Sequence, residues 1–159
     1  MARPVPTKHI VVVCLANQCR SPMGELLLAR ALEGTGIEVT SAGLEAMPGL
    51  PATASARRAV ERRFGQDLLA GHKASLLTAG LMGQADLILV MTAGQKQHLL
   101  GDWSRVIDGL DDKLFTIGEF AGRPSTDVDD PVGKPDARYD ACLALLEELT
   151  SAAAARLTG

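Results

Sequence analysis

Apolar and polar positions change period several times along this chain, and each change marks an element. His9 to Cys14 (HIVVVC) is a β-branched apolar run, the pattern of a strand buried on both faces, and it stops at the polar stretch Asn17 to Ser21. From Pro22, apolar residues at Met23, Leu27, Ala31 and at Leu28, Leu32 recur at helical spacing up to Gly34. This predicts an amphipathic helix with Ser21 as its N-cap and Pro22 at its first position. Val39 to Ser41 reads as a short second strand, closed by Ala42-Gly43 and a proline- and glycine-bearing loop to Pro51. Ala52 to Phe64 reads as a helix with Arg57, Arg58, Arg62 and Arg63 on one side, either a solvated face or an anionic contact. Thr78 to Gly83 predicts a short helix, Ala85 to Met91 (ADLILVM) a second fully apolar strand, Gln95 to Leu100 a helix, and Lys113 to Ile117 a fourth strand. A turn or short helix to Gly122 and a long polar loop, Arg123 to Pro135, lead into a last helix with Tyr139, Cys142, Leu146, Leu149 and Ala153 on one stripe.

Strands alternating with helices imply βαβ units, hence an α/β fold with a parallel sheet and right-handed crossovers. Ligands of such sheets sit beyond the carboxyl ends of the strands, so the segment after the first strand is the first place to look for chemistry.

Composition narrows the class of function. The 159 residues, 47% hydrophobic and 22% charged, fit one domain over 1–159, with 1–8 expected to be flexible. No apolar run approaches the roughly 20 residues that span a bilayer, and no signal segment follows Met1 to Lys8, so no membrane association and a cytoplasmic location are expected. A net charge of −3 removes the positive field of a general nucleic-acid binder. Three cysteines, Cys14, Cys19 and Cys142, are too few for a disulfide framework and lack the spacing of a zinc site, which leaves at least one free to react. With only 3% aromatic residues, the core must be mostly aliphatic.

The segment Cys14-Leu15-Ala16-Asn17-Gln18-Cys19-Arg20-Ser21-Pro22 places a cysteine at the end of a buried strand and an arginine at the start of a helix. A loop of this length curls its backbone N–H groups inward, and the helix N-terminus adds positive charge, a cradle for a tetrahedral oxyanion such as phosphate. Cys14 at its floor is the expected nucleophile, in thiolate form, and the Arg20 guanidinium suits two phosphoryl oxygens at once. Leu15, Ala16, Asn17, Gln18, Cys19 and Ser21 would line the bound group. Ser21 is expected both to cap the helix and to hydrogen bond the Cys14 sulfur, and Asn17 to adopt a left-handed conformation or pin the loop. Cys19 either pairs with Cys14 in a reversible disulfide or fills space. Phosphoryl transfer to sulfur leaves a group that must be protonated, and Asp130, aimed by the following Pro131, is the best candidate, with Asp127 and Asp129 as fallbacks.

These residues resemble the low-molecular-weight protein tyrosine phosphatase family over nearly the whole chain. The shared features are the loop Cys14 to Arg20 with Ser21-Pro22, the triplet Ser41 to Gly43, His72 before a basic residue, the strand Ala85 to Met91, and Asp130-Pro131. The resemblance implies a four-stranded parallel sheet flanked by helices, a cysteinyl-phosphate intermediate, a phosphorylated protein substrate, no metal and no cofactor. It also implies that Asp130 first protonates the leaving group and then activates water, with His72 supporting the loop. A monomer is expected.

Four residues depart from the family's pattern. Ala16 replaces a usual glycine, which matters if that position needs a positive φ angle. Gln18 stands where tyrosine-specific members carry an aliphatic residue and the protein arginine phosphatase branch a threonine; Val132 and Met47 stand where aromatics are common. Met91-Thr92 and the spacing Asp127 to Pro131 are similar to the arginine branch. Phosphotyrosine is the expected substrate, with phosphoarginine as the alternative. An arsenate reductase would need a further downstream cysteine pair where only Cys142 follows, and a non-catalytic phosphate-binding module would need neither nucleophile nor acid.

Overall fold

The computed structural model describes residues 6–159, in which four parallel strands form one sheet in the order β2-β1-β3-β4. These are β1 (His9–Cys14), β2 (Glu38–Gly43), β3 (Leu87–Val90) and β4 (Leu114–Thr116). Val12 of β1 lies beside Ser41 of β2 and Leu89 of β3, so β1 is central. Its side chains alternate between two cores, Ile10, Val12 and Cys14 entering one and Val11 and Val13 the other. Burial on both faces is why its sequence is a continuous apolar run.

The helices are α1 (Arg20–Ala31), α2 (Ala54–Phe64), α3 (Ala79–Gln84), α4 (Ala93–Trp103), α5 (Leu110–Lys113), α6 (Ile117–Phe120) and α7 (Asp136–Thr158). Residues of α1, α2 and α7 cover one face with Met23, Leu28, Val60 and Leu146, while Met82 of α3, Leu99 of α4 and Leu110 of α5 cover the other. The predicted stripe of α7 is buried throughout, from Tyr139 to Ala153.

Several boundaries move for identifiable reasons. Helix α1 starts at Arg20 with Cys19 as N-cap and without a side-chain cap, so Ser21 is not the cap. Its hydroxyl is committed to the loop instead, accepting from Asn17 Nδ2 at 2.7 Å. Helix α1 ends at Ala31, short of Gly34, and α2 starts at Ala54, where Thr53 Oγ1 accepts from the Ala56 N–H. Helix α4 begins two residues earlier than its apolar pattern, at Ala93, because Thr92 caps it by accepting from the Gln95 N–H. The single turn α5 takes Lys113 out of the expected fourth strand.

The arginines of α2 face neither bulk solvent alone nor an external anion. Arg58 pairs with Asp136 at 3.1 Å, Arg62 with Asp140 at 2.6 Å and Arg63 with Glu147 at 2.7 Å, a ladder from α2 to α7, and Arg57 pairs with Asp67. Exposed pairs of this kind each add little stability, but they fix how two helices lie together. Of the segment expected to be flexible, residues 1–5 lie outside the described residues. Lys8 is held, its N–H donating to Asp86 Oδ2 at 2.9 Å and its carbonyl accepting from Glu38. Among the described residues, no helix is long and apolar enough to cross a membrane.

Candidate active site

The segment between β1 and α1 folds into a tight loop whose pivot is Asn17. Its φ of 56° makes it the one non-glycine residue with a positive φ among those described. Ala16 is therefore outside that region, and the absence of glycine there conflicts with nothing in the backbone. The Asn17 side chain donates through Nδ2 to Ser21 Oγ at 2.7 Å and Ser41 Oγ at 2.9 Å, and its Oδ1 accepts from the Ser75 N–H at 2.8 Å. The Asn17 carbonyl accepts from His72 Nε2 at 2.7 Å. Asn17 thus ties the loop to α1, β2 and the segment 72–75 at once, and it is fully buried.

Gly43, at the end of β2, is a packing requirement of the same loop. A Cβ there would stand 2.8 Å from the Ala16 carbonyl carbon, the Asn17 nitrogen and the Leu15 oxygen, closer than any side chain allows. The triplet Ser41 to Gly43 therefore combines a hydroxyl partner for Asn17 with a gap that lets the loop approach the sheet.

Cys14 closes β1 beneath this loop, buried, with Sγ 3.0 Å from Ser21 Oγ. Because Asn17 donates to that oxygen, the Ser21 hydroxyl hydrogen is free for the sulfur, with the Ala42 carbonyl at 3.4 Å as its other acceptor. The Cys14 sulfur thus faces a hydroxyl at the floor of the loop. The other two thiols are ill suited to attack. Burial, then the neighbouring Cys142, Cys14 and Asp130, pushes the Cys19 thiol up, and burial pushes the Cys142 thiol up to about 12. All three cysteines are free.

Arg20 joins the loop to the distant acid. Its Nη1 donates to the Val128 carbonyl at 2.9 Å, and its Nη2 lies 3.5 Å from Asp130 Oδ2. Asp130 is half exposed at the mouth, and its Oδ1 accepts from the Val132 N–H at 3.0 Å, a short turn that sets the carboxyl beside Arg20. Asp127 is differently employed, accepting from the Ala93 N–H at the start of α4 at 3.0 Å. Asp129 is exposed. Of the three acids, Asp130 is the one that meets the guanidinium.

The mouth carries Gln18, whose Nε2 donates to the Pro51 carbonyl at 2.9 Å while its own carbonyl oxygen accepts from Thr53 through the backbone at 2.8 Å. Leu15 in the same loop, Met47 and Val132 are exposed. Most aromatic rings lie elsewhere: Phe115 and Phe120 meet edge to face near Arg156, Phe64 sits under Arg30 and Arg63, and Trp103 packs behind the sheet, whereas Tyr139 is buried in α7 within reach of Cys19, Thr53 and Asp130.

Two contributors were absent from the sequence reading. Glu25 accepts from Ser41 Oγ and so extends the chain Cys14–Ser21–Asn17–Ser41 to a carboxylate. Its place four residues after Ser21, on the same face of α1, was the available signal. Ser75 acts through its backbone and left no signal in its side chain. Among the described residues no cluster of His, Cys, Asp and Glu is arranged to hold a metal ion.

Residues 9–158 match the family model described as low molecular weight phosphotyrosine protein phosphatase. The chain is 38% identical over 140 residues to a probable low molecular weight protein-tyrosine-phosphatase, EpsP, of Ralstonia solanacearum, covering 88% of this chain and 89% of that protein. It is 39% identical over 142 residues to the protein-arginine-phosphatase of Bacillus subtilis (strain 168), covering 88% of this chain and 90% of that one. Its fold superposes with a TM-score of 0.83 on the tyrosine phosphatase Wzb of Escherichia coli K30 in complex with sulphate, at 31% identity over 95% of this chain and 99% of the other. The chain belongs to the low molecular weight phosphotyrosine protein phosphatase family.

Proposed function

We propose that this protein is a cysteine-dependent phosphoprotein phosphatase that hydrolyses phosphotyrosine through a cysteinyl-phosphate intermediate. The observation that carries the reading is the meeting of Cys14, Arg20 and Asp130 at the carboxyl end of β1, with Arg20 Nη2 and Asp130 Oδ2 3.5 Å apart. The phosphoryl group would sit in the loop Leu15–Cys19, held by backbone N–H groups, by Arg20 and by the positive end of α1. The Cys14 thiolate attacks phosphorus, the bond to the leaving oxygen breaks, and the Asp130 carboxyl gives that oxygen its proton. Asp130, now a carboxylate, takes a proton from water as the water attacks phosphorus; the S–P bond breaks and the thiolate returns with inorganic phosphate. Ser21 stabilises the sulfur as leaving group in this second step, and Asn17 and His72 hold the loop open.

A second reading, protein arginine phosphatase, is favoured by the mouth. The polar Gln18 stands at the loop, tied to Pro51, and the exposed side chains of Met47 and Val132 are aliphatic rather than aromatic. A planar cationic guanidinium gains from polar partners, whereas a phenyl ring gains from flat apolar walls. The arsenate reductase reading is not favoured, because it would need a downstream cysteine pair where only Cys142 follows, in the buried stripe of α7 and with its thiol pushed up to about 12 by burial.

We further propose a cytosolic monomer without nucleic-acid or membrane partners: three free cysteines fit a reducing compartment, and a net charge of −3 offers no field for nucleic acid. Turnover of para-nitrophenyl phosphate, followed by phosphotyrosine and phosphoarginine peptides side by side, tests the reading. Gln18→Ile is expected to shift the kcat/KM ratio towards phosphotyrosine and Gln18→Thr towards phosphoarginine. A ratio that moves less than about twofold in both variants removes position 18 from specificity.

A further inference from the structure

The exposed apolar side chains of this protein are not scattered. Among the described residues six large hydrophobic side chains are exposed, Leu15, Met47, Leu50, Leu76, Val106 and Val132. Five of them lie in the loop itself, in the segments 47–51 and 75–76 that hydrogen bonds tie to it, or two residues beyond Asp130. Val106 alone follows the far end of α4, about 16 Å of helix from the site.

Each of the five is carried on backbone that is hydrogen bonded to the loop or to its supports. Leu15 belongs to the loop, and its carbonyl accepts from Glu45 at 2.8 Å. The Leu50 carbonyl accepts from the Ala74 N–H at 2.7 Å, the Gly49 N–H donates to the Ala74 carbonyl at 2.8 Å, and Leu50 closes a turn back to Met47. Leu76 bridges to Gly43, the glycine on which the loop rests, and follows Ser75, which donates to Asn17. Val132 lies two residues beyond Asp130, and its N–H donates to Asp130 Oδ1. Leu50 and Leu76 are 38% and 43% exposed, on fixed backbone, and outside the residues that shape the phosphate cradle. The exposed charges next in sequence to these segments are mixed, Glu45 and Asp129 against Lys73 and Lys134, so no single sign of charge marks them.

We infer that Leu50 and Leu76 form an apolar shelf beside the phosphate loop that selects phosphoprotein segments with a large aliphatic side chain within one to three residues of the phosphorylated one. The inference rests on the phosphatase reading and continues the phosphate site outward. An extended peptide advances about 3.3 Å per residue, so its phosphorylated side chain enters the loop while its neighbours reach the shelf.

The test uses the full-length enzyme and two peptides that share the phosphorylated residue it hydrolyses faster, one flanked by leucines and one by serines. The leucine-flanked peptide is expected to show a KM lower by roughly fivefold or more at similar kcat. Leu50→Ser and Leu76→Ser should each narrow that ratio, and Val106→Ser should leave it. Wild-type KM values within about twofold of each other, or a ratio that neither leucine variant changes, overturn the shelf. If the wild type hydrolyses para-nitrophenyl phosphate and shows no peptide preference, the shelf alone is wrong; if it hydrolyses neither, the phosphatase reading and the shelf both fall.

Discussion

Arg20 reaches 108 positions along the chain to donate Nη1 to the carbonyl of Val128 at 2.9 Å. The bond joins the phosphate loop to the acid loop, and the Val128 N–H is itself held by the Met91 carbonyl at the end of β3. The residue proposed to clamp phosphate is thus also a strap on the segment that carries Asp130, the proposed acid.

Arg20→Lys should therefore fail in two ways. An ammonium keeps the charge but not the fork that reaches Val128 and the phosphoryl oxygens together, so kcat/KM for an aryl phosphate should fall by about 10² or more. Thermal unfolding should show a modest loss as well. Steady-state kinetics within about threefold of wild type would remove Arg20 from the clamp.

Asn17 separates backbone from side-chain contributions. Asn17→Ala loses three side-chain hydrogen bonds and strains a residue at φ 56°, an expected cost of roughly 3 kcal/mol in chemical denaturation. Asn17→Gly relieves the backbone strain and should recover about 1 kcal/mol of that loss. Equal stability of the two variants would show that the left-handed turn carries no strain.

The three acids of the polar loop should separate by function. Asp130→Ala should lower kcat by roughly 10² to 10⁴, with a smaller loss for better leaving groups. Asp127→Ala should instead cost about 1 kcal/mol of stability, because Asp127 accepts from the N-terminal turn of α4. Asp129→Ala should change neither much. A mild Asp130→Ala beside a crippling Asp127→Ala would reverse the assignment.

Much of this site was legible because its chemistry is contiguous. Cys14 to Pro22 places the proposed nucleophile, cradle and cation in nine successive residues, and Asp130-Pro131 is a local pair that stands out once the proposed chemistry requires an acid. Illegible parts depend on segments that meet only in three dimensions. Glu25 and Ser75 gain their roles from the approach of β2 and the segment 72–75 to the loop. The arginines of α2 share a side by helical spacing, yet nothing in that spacing shows that α7 supplies their partners. Ser21-Pro22 reads as a capped helix start because that pattern is local, whereas α1 starts at Arg20 and the Ser21 hydroxyl answers to Asn17 and Cys14.

Acid stability has a local source at α6. The Thr116 N–H, and after it Lys96, hold the Glu119 carboxyl below its ordinary value of 4.5, despite partial burial. A carboxyl with a lowered folded-state value contributes stability above pH 4.5 that is lost as the pH falls through the folded-state value. Glu119→Gln should thus be less stable than wild type at neutral pH by about 1 kcal/mol, and the gap should close in acid. Denaturation curves that keep a constant gap from pH 7 down to about pH 3 would contradict this origin.

Trapping the covalent intermediate tests the catalytic proposal most directly. Wild-type enzyme mixed with excess para-nitrophenyl phosphate, quenched within the first turnovers and mapped by mass spectrometry should carry one phosphoryl group, on Cys14, and Cys14→Ser should release no nitrophenol at the wild-type rate. A phosphoryl group found on another residue, or a Cys14→Ser enzyme turning over within about tenfold of wild type, would contradict the cysteinyl-phosphate mechanism.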